Sequence, residues 1–302
     1  MKKFCCKKAL LSVYLIISLL TMLMLVSCAP VQKVTTKPGF TKDTYPRVDG
    51  STATIPLSQN IAAELLSMTK EESAKFIKHN TTHNAYVNLL EGKADIIFVT
   101  EPSEEELKMA KEKGIDLEVV PVVKEAFVFL VNKENPVDTL TVEQIKEIYQ
   151  GKIKNWKELG GLDKGIIGYQ RPDNSGSQTI MQNQVMKGLQ MAAAPRELKP
   201  AEMGELIDVI ASYDNSDQAI GYSVYYYANS MYSKDTIKFI KVEGIEPDNK
   251  TISSGEYPFT SAYYAVLKKS EPSDSNAGKL LAWLLSDEGQ KLAEASGYVP
   301  LK

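Results

Sequence analysis

Short apolar runs alternate with stretches of helical spacing from about residue 48 to the end of the chain, and this alternation restricts the fold class more than any single motif. Ala94–Val99, Leu117–Val123, Ala126–Val131, Ile166–Tyr169, Ala219–Val224 and Ala262–Leu267 read as strands. Between them, Leu57, Ile61, Leu65 and Leu66 share one helix face, as do Met203, Leu206, Ile207 and Ile210, and again Leu280, Leu281, Leu284 and Leu285. Ser103 with Glu106 and Thr141 with Gln144 are capping boxes, opening helices that Gly114 and Gly151 end. The pattern predicts an α/β architecture. The run Ala126–Val131 is continuously apolar, which predicts burial on both faces, and with Leu117–Val123 it is placed to carry the chain between two lobes. Trp156, Leu159 and the Tyr225–Tyr226–Tyr227 cluster read as packing groups.

The chain has 302 residues, 43% hydrophobic and 24% charged, enough for two lobes with a core each. Residues 1–27 carry Lys2, Lys3, Lys7 and Lys8, an apolar run from Ala9 to Val26, and small Ser27 directly before Cys28. This reads as a secretory signal with a lipoprotein cleavage box, leaving Cys28 as a lipidated N-terminus; the competing reading is an uncleaved membrane anchor. Residues 28–44, with Pro30, Pro38 and Gly39, read as a flexible tether. Cleavage removes Cys5 and Cys6, so no cysteine remains for a disulfide, a metal cluster or a nucleophile. It also removes four lysines and no acidic residue, taking the net charge from −3 to −7. Such a chain is a poor general attractor of nucleic acid or anionic lipid. An anion site must then work by close contacts, inside the roughly 8 Å over which physiological salt screens a distant field.

Three hydroxyl-bearing turns, each before a helix, carry the candidate chemistry. In Arg171–Thr179 an arginine precedes Ser175, Gly176 and Ser177 at a helix start, where unpaired backbone N–H groups and the helix dipole favour an anion. The guanidinium of Arg171 adds a planar fork suited to phosphate or carboxylate oxygens. The plainer reading is that Ser and Gly merely start the helix and that Arg171 pairs with a surface carboxylate. Ser51 and Thr52 form a second hydroxyl pair before the helix that carries Pro56 in its first turn, and the polar loop His79–Asn84, with Thr81 and Thr82, precedes a helical turn at Ala85–Glu91. The carboxylate of Glu101 follows the strand Ala94–Val99. Other chemistries lack their parts: the Ser175–Thr179 turn has no P-loop lysine, and no Gly-x-Ser-x-Gly elbow occurs. His79 and His83, the only histidines, have no carboxylate between them, and read as exposed or supporting groups rather than metal ligands or bases. Neither a cofactor nor a metal is expected, nor a catalytic residue.

Several of these segments together resemble the PstS-like phosphate-binding proteins that serve ABC importers. Asp49–Thr52 is similar to the family's first binding loop, and Arg171 with Ser175–Gly176–Ser177 to its third. Ile148–Trp156, Ala219–Tyr222 and Gly297–Leu301 look like further landmarks of that family. The resemblance runs through essentially the whole mature chain. It implies a two-lobed type II periplasmic-binding-protein fold, each lobe a mixed sheet flanked by helices, closing on ligand in the interlobe cleft. Lobe one would comprise residues 45–124 and 261–302, and lobe two residues 125–260. It implies Ser51, Thr52, Arg171, Ser175, Gly176 and Ser177 as ligand-binding residues. The chain departs from the family twice: Thr81–Thr82–His83 stands where a Gly-Ser-Gly-like turn is usual, with Thr82 matching the hydroxyl, and Glu101 stands where some members have an aspartate that accepts a proton from the ligand.

The expected function is therefore capture of inorganic phosphate by a monomeric, lipid-anchored extracytoplasmic protein that touches the membrane only through its lipid and delivers its ligand to an ABC importer permease. Alternatives are the same fold with another oxyanion or an organic phosphate, or a surface receptor or adhesion protein. A phosphoester hydrolase is disfavoured by the missing base and metal ligands.

Overall fold

A computed structural model describes residues 37–302 other than 213, 215 and 216. The expected signal segment, Cys28 and the tether up to residue 36 lie outside the described residues. In chain order the elements are β1 (Val48–Gly50), α1 (Ile55–Leu66), α2 (Lys70–Phe76), α3 (Thr82–Leu90), β2 (Ile96–Val99), α4 (Glu104–Glu112), β3 (Leu117–Asn132), β4 (Thr139–Leu140), α5 (Val142–Tyr149) and β5 (Ile167–Gly168). There follow α6 (Gly176–Ile180), which continues as a π-helical stretch over Met181–Met186, α7 (Met203–Ala211), β6 (Ala219–Val224), β7 (Ile237–Phe239), β8 (Lys241–Val242), α8 (Asn249–Ser254), β9 (Thr260–Lys268), α9 (Asn276–Leu284) and α10 (Asp287–Ala295).

Seven strands form a mixed sheet in the order β1-β2-β9-β3-β6-β5, with β7 also on β3. The pairs β1–β2 and β5–β6 are parallel, and β3 is antiparallel to each of its partners. The two adjacent β-rich runs of the sequence are one strand, β3, because Lys124–Glu125 between them contains no turn-forming residue. Its first half pairs with β9 from Leu117–Lys268 to Ala126–Thr260, and its second half with β6 from Phe127–Val224 to Val131–Ile220. Pro121, which has no N–H to donate, sits where the β3–β9 register shifts. Ala126 to Val131 are all fully buried, as the unbroken apolar run predicts.

Helices cover this sheet with the faces their spacing dictates. Leu57, Ile61 and Leu65 of α1 are buried, with Pro56 in the first turn. Both predicted capping boxes form: Ser103 and Glu106 exchange side-chain and backbone hydrogen bonds at the start of α4, as Thr141 and Gln144 do at α5. Each fully buried Leu, Ile or Phe contributes roughly 1.5–3 kcal/mol. Phe127, Phe129, Tyr149, Tyr222 and Phe259 form one aromatic cluster in the core, with ring centroids 5.2 to 6.4 Å apart. Trp156 is buried and donates from its indole to the carbonyl of Gln218 at 2.9 Å. One start differs from expectation: α3 begins at Thr82 rather than Ala85, so Thr82 and His83 lie in a helical first turn instead of a loop. Among the described residues no helix is long and apolar enough to cross a membrane.

Candidate functional site

Arg171 follows β5 in sequence and enters a turn whose geometry is fixed from beneath. Its backbone N–H is shared between the hydroxyl of Tyr222 on β6, at 3.0 Å, and the side-chain carbonyl of Gln178 on α6, at 3.1 Å, while Tyr222 itself donates to Gln178. The guanidinium is 5% exposed. Nε donates to the carbonyl of Pro200 at 3.1 Å and Nη2 to that of Ala201 at 2.7 Å. Nη1 is buried without a hydrogen-bond partner. Burial lowers the Arg171 pKa, with Tyr222, Glu202, Tyr227 and Glu205 opposing the shift by their charge. An arginine nevertheless stays protonated in proteins. Among the described residues no carboxylate forms an ion pair with it, so the expectation of a surface pair gives way to a buried cation with a free donor. Such a charge is expensive until a counter-charge arrives.

The turn then reverses through Asn174, at φ +64°, into the start of α6. Ser175 caps that helix, its hydroxyl accepting from the Gln178 N–H at 3.4 Å. The Ser177 hydroxyl is buried and unpartnered. Gly176 packs so closely that a Cβ there would lie 2.7 Å from the hydroxyl oxygens of both Thr82 and Thr100. That contact brings the start of α6 against the start of α3 and the end of β2.

The β1 side is built in the same way. Gly50 has no room for a side chain, since a Cβ would sit 2.4 Å from the Phe98 carbonyl. The buried carboxylate of Asp49 accepts from the backbone of Gly50 and of Asn80 and from the side-chain amides of Asn80 and Asn88, at 2.7 to 2.9 Å, which pins the turn to the α3 region. His79 faces the Ser51 carbonyl through Nδ1 at 2.9 Å, and burial lowers its pKa, so it acts as a neutral brace. Ser51 is buried there. Thr81, which precedes α3, has φ +72° and ψ 165°, a conformation glycine adopts readily and threonine does not.

These segments enclose one cavity of about 330 Å³. Of the expected site residues, Ser51, Thr52, Thr82, Arg171, Ser175, Gly176 and Ser177 line it together. Glu101 does not. Its carboxylate instead accepts from the Gln184 amide at 3.3 Å, an amide that also donates to Ser261 at 3.0 Å. Successive side chains of an extended segment point to opposite sides, and here Thr100, one residue earlier, is the one turned toward Gly176, its hydroxyl buried and unpartnered. His83 also lines the cavity, with Nδ1 3.1 Å from the fully buried carboxylate of Glu106. Thr100 carried no sequence signal beyond its place at a strand end, and the partner of His83 lies 23 residues further along the chain. Asp173, Asn174 and Glu202 complete the rim. The unpartnered groups of Arg171 and Ser177, with the unpaired N–H groups of the first turn of α3, offer hydrogen-bond donors to a compact anion. Among the described residues no group of three or more His, Cys, Asp or Glu could hold a metal ion.

The chain is similar in sequence and fold to known proteins. The chain is 27% identical over 264 residues to the phosphate-binding protein PstS of Staphylococcus saprophyticus, covering 84% of this chain and 79% of that one. It is 32% identical over 197 residues to PstS of Bacillus subtilis, covering 64% of this chain and 62% of the relative. A crystal structure described as a phosphate ABC transporter substrate-binding protein with bound phosphate, from Clostridium perfringens, superposes with a TM-score of 0.64 at 26% identity, over 84% of this chain and 98% of that chain. An ABC-type phosphate transport receptor from Vibrio cholerae shares the fold, with a TM-score of 0.61 at 22% identity over 83% of this chain and 98% of the other. A model described as the PBP superfamily domain matches residues 36–288, most of the chain, and the protein therefore belongs to the PBP superfamily.

Proposed function

We propose that this protein captures inorganic phosphate and delivers it to an ABC importer permease, without covalent chemistry. The observation that carries the reading is Arg171, a buried arginine with no carboxylate partner among the described residues and one unpartnered nitrogen, which lines the same cavity as Ser177 with its unpartnered hydroxyl. A tetrahedral oxyanion would neutralise the charge and satisfy both groups. The relatives named phosphate-binding proteins and the phosphate-bound neighbour support the same ligand. On this reading Ser51, Thr52 and Thr82 hold the anion from one side of the cavity, and Arg171, Ser175, Gly176 and Ser177 from the other.

The two sides belong to two lobes, residues 45–124 with 261–302 and residues 125–260. The change of β3's partners from β9 to β6 at Ala126–Phe127 supports that division. Glu101 serves closure rather than the ligand, since it meets Gln184 of the opposite lobe, as Glu105 meets Asn174. The Cys28 box supports an extracytoplasmic protein held to the cell membrane by its lipid alone. A cavity of about 330 Å³ is roomier than four oxygens need, which favours a small organic phosphate as the second reading. Calorimetric titration of the full-length chain with phosphate, sulfate and a phosphomonoester tests both. Strong heat with phosphate alone is expected, and saturation by the ester with none by phosphate sinks the first reading in favour of the second.

A further inference from the structure

Inorganic phosphate at neutral to mildly alkaline pH still carries a proton, even as its dianion, whereas sulfate carries none. Donors alone hold both anions, so a site that prefers phosphate needs an acceptor for that proton. The carboxylates near the cavity do not supply one. Asp49 is saturated by four donors, Glu101 is turned to Gln184, and Asp173 and Glu202 are exposed on the rim.

Beyond these carboxylates, the one ionisable acceptor on the cavity wall is His83. Its imidazole is backed by Glu106, whose Oε1 lies 3.1 Å from Nδ1 and whose Oε2 accepts from the Ser103 N–H at 2.8 Å as part of the α4 capping box. Burial raises the Glu106 pKa, opposed by its hydrogen bonds to Ser103 and His83. How the protons divide within the pair does not alter what the pair shows the cavity. With one proton, that proton lies between Nδ1 and Glu106, and Nε2 presents a lone pair. With two, whether as carboxylate and imidazolium or as carboxylic acid and imidazole, Nε2 carries N–H and donates. The other charged groups lining the same cavity are Arg171, Asp173 and Glu202, and Glu105 of α4 engages Asn174 on its rim.

We propose that His83, oriented by buried Glu106, is the specificity-determining acceptor of the ligand's proton, so that the site selects a protonated tetrahedral oxyanion over sulfate. This rests on the phosphate reading above. An imidazole that gains a second proton becomes a donor, as a protonated carboxyl does, and welcomes sulfate, so the preference for phosphate belongs to the singly protonated pair.

The test is phosphate and sulfate affinity of the full-length chain at pH 8, for the wild type, His83→Gln and Glu101→Gln. The wild type is expected to prefer phosphate at least tenfold. In His83→Gln, phosphate still binds and the preference falls tenfold or more through a gain in sulfate affinity. An unaltered ratio in His83→Gln, or its collapse in Glu101→Gln alone, overturns the assignment while leaving phosphate binding intact. A wild type that binds neither anion brings down the phosphate reading as well. Imidazole ¹⁵N shifts of the wild type give a variant-free check: at pH 8 Nε2 should be unprotonated and should move with phosphate and not with sulfate, and a protonated Nε2 in the free protein at that pH contradicts the proposal.

Discussion

Arg171 is the one buried arginine of the chain's three, Arg47 and Arg196 being exposed, and its side chain spends two nitrogens on carbonyls and leaves the third without a partner. Truncating one member of a buried, hydrogen-bonded charge pair costs about 2–5 kcal/mol, so Arg171→Ala should weaken phosphate binding from tens-fold to thousands-fold. Calorimetry reads this directly, and an unchanged affinity would remove the residue from the site. Ser177→Ala removes one hydrogen bond to a charged partner, about 1.5–3 kcal/mol or roughly 10- to 150-fold. Thr81 carries a cost of another kind. Its φ of +72° with ψ 165° lies in a region that strains a residue with a Cβ by about 1–3 kcal/mol. Glycine relieves that strain and gives back about 0.5–1 kcal/mol through the freedom of the unfolded chain. Thr81→Gly should therefore raise the denaturation midpoint at unchanged slope; a lowered midpoint would show that the threonine side chain contributes more than its backbone costs.

Between elements, the decisive contact is the start of α6 against α3 and β2. A methyl at Gly176 would meet the hydroxyls of Thr82 and Thr100 at 2.7 Å each, closer than real Cβ atoms approach anything. Gly176 does not lie in the left-handed region, so Gly176→Ala adds no backbone strain; the overpacked contact costs about 1–3 kcal/mol if the two sides stay together, and relieving it by holding them apart should lower phosphate affinity at least tenfold. Equal losses of stability and affinity would mean that the glycine serves the fold alone. What the sequence disclosed here follows the range of each signal. Capping boxes, the buried run of β3 and the hydroxyl turns are written within a few residues, and the structure contains them at Ser103–Glu106, Thr141–Gln144 and Ala126–Val131. The early start of α3 was hidden because Thr81 takes a backbone conformation that no threonine advertises. Glu101 and Thr100 differ by one position on an extended segment, and a shift of one residue exchanges which side chain faces the cavity. The His83–Glu106 pair joins residues 23 positions apart, a separation over which no periodicity speaks.

At the scale of the whole molecule, β3 is the structural axis. It serves β9 with residues up to Ala126 and β6 from Phe127 onward, and Glu125 stands beside that change of partners, wholly buried. One oxygen of Glu125 accepts from the N–H groups of Ala126 at 2.8 Å and Tyr226 at 3.2 Å, and the Tyr263 hydroxyl lies beside the carboxyl. Desolvation outweighs these bonds and pushes the carboxyl from the ordinary 4.5 up to about 7. Because the folded state binds this proton more tightly than the unfolded chain, the associated stability is fully present below pH 4.5 and is lost as pH rises through about 7. A shift of that size corresponds to a loss of about 3 kcal/mol. Glu125→Gln keeps an oxygen to accept the two N–H groups and cannot ionise. Wild type and variant should therefore show similar unfolding free energies near pH 4, diverge between pH 4.5 and about 7, and run parallel above that, with the variant more stable by about 3 kcal/mol. Denaturant unfolding across that range decides the matter. Curves that stay parallel throughout would mean that Glu125 keeps its charge in the folded protein, and that the point where β3 changes partners holds a carboxylate after all.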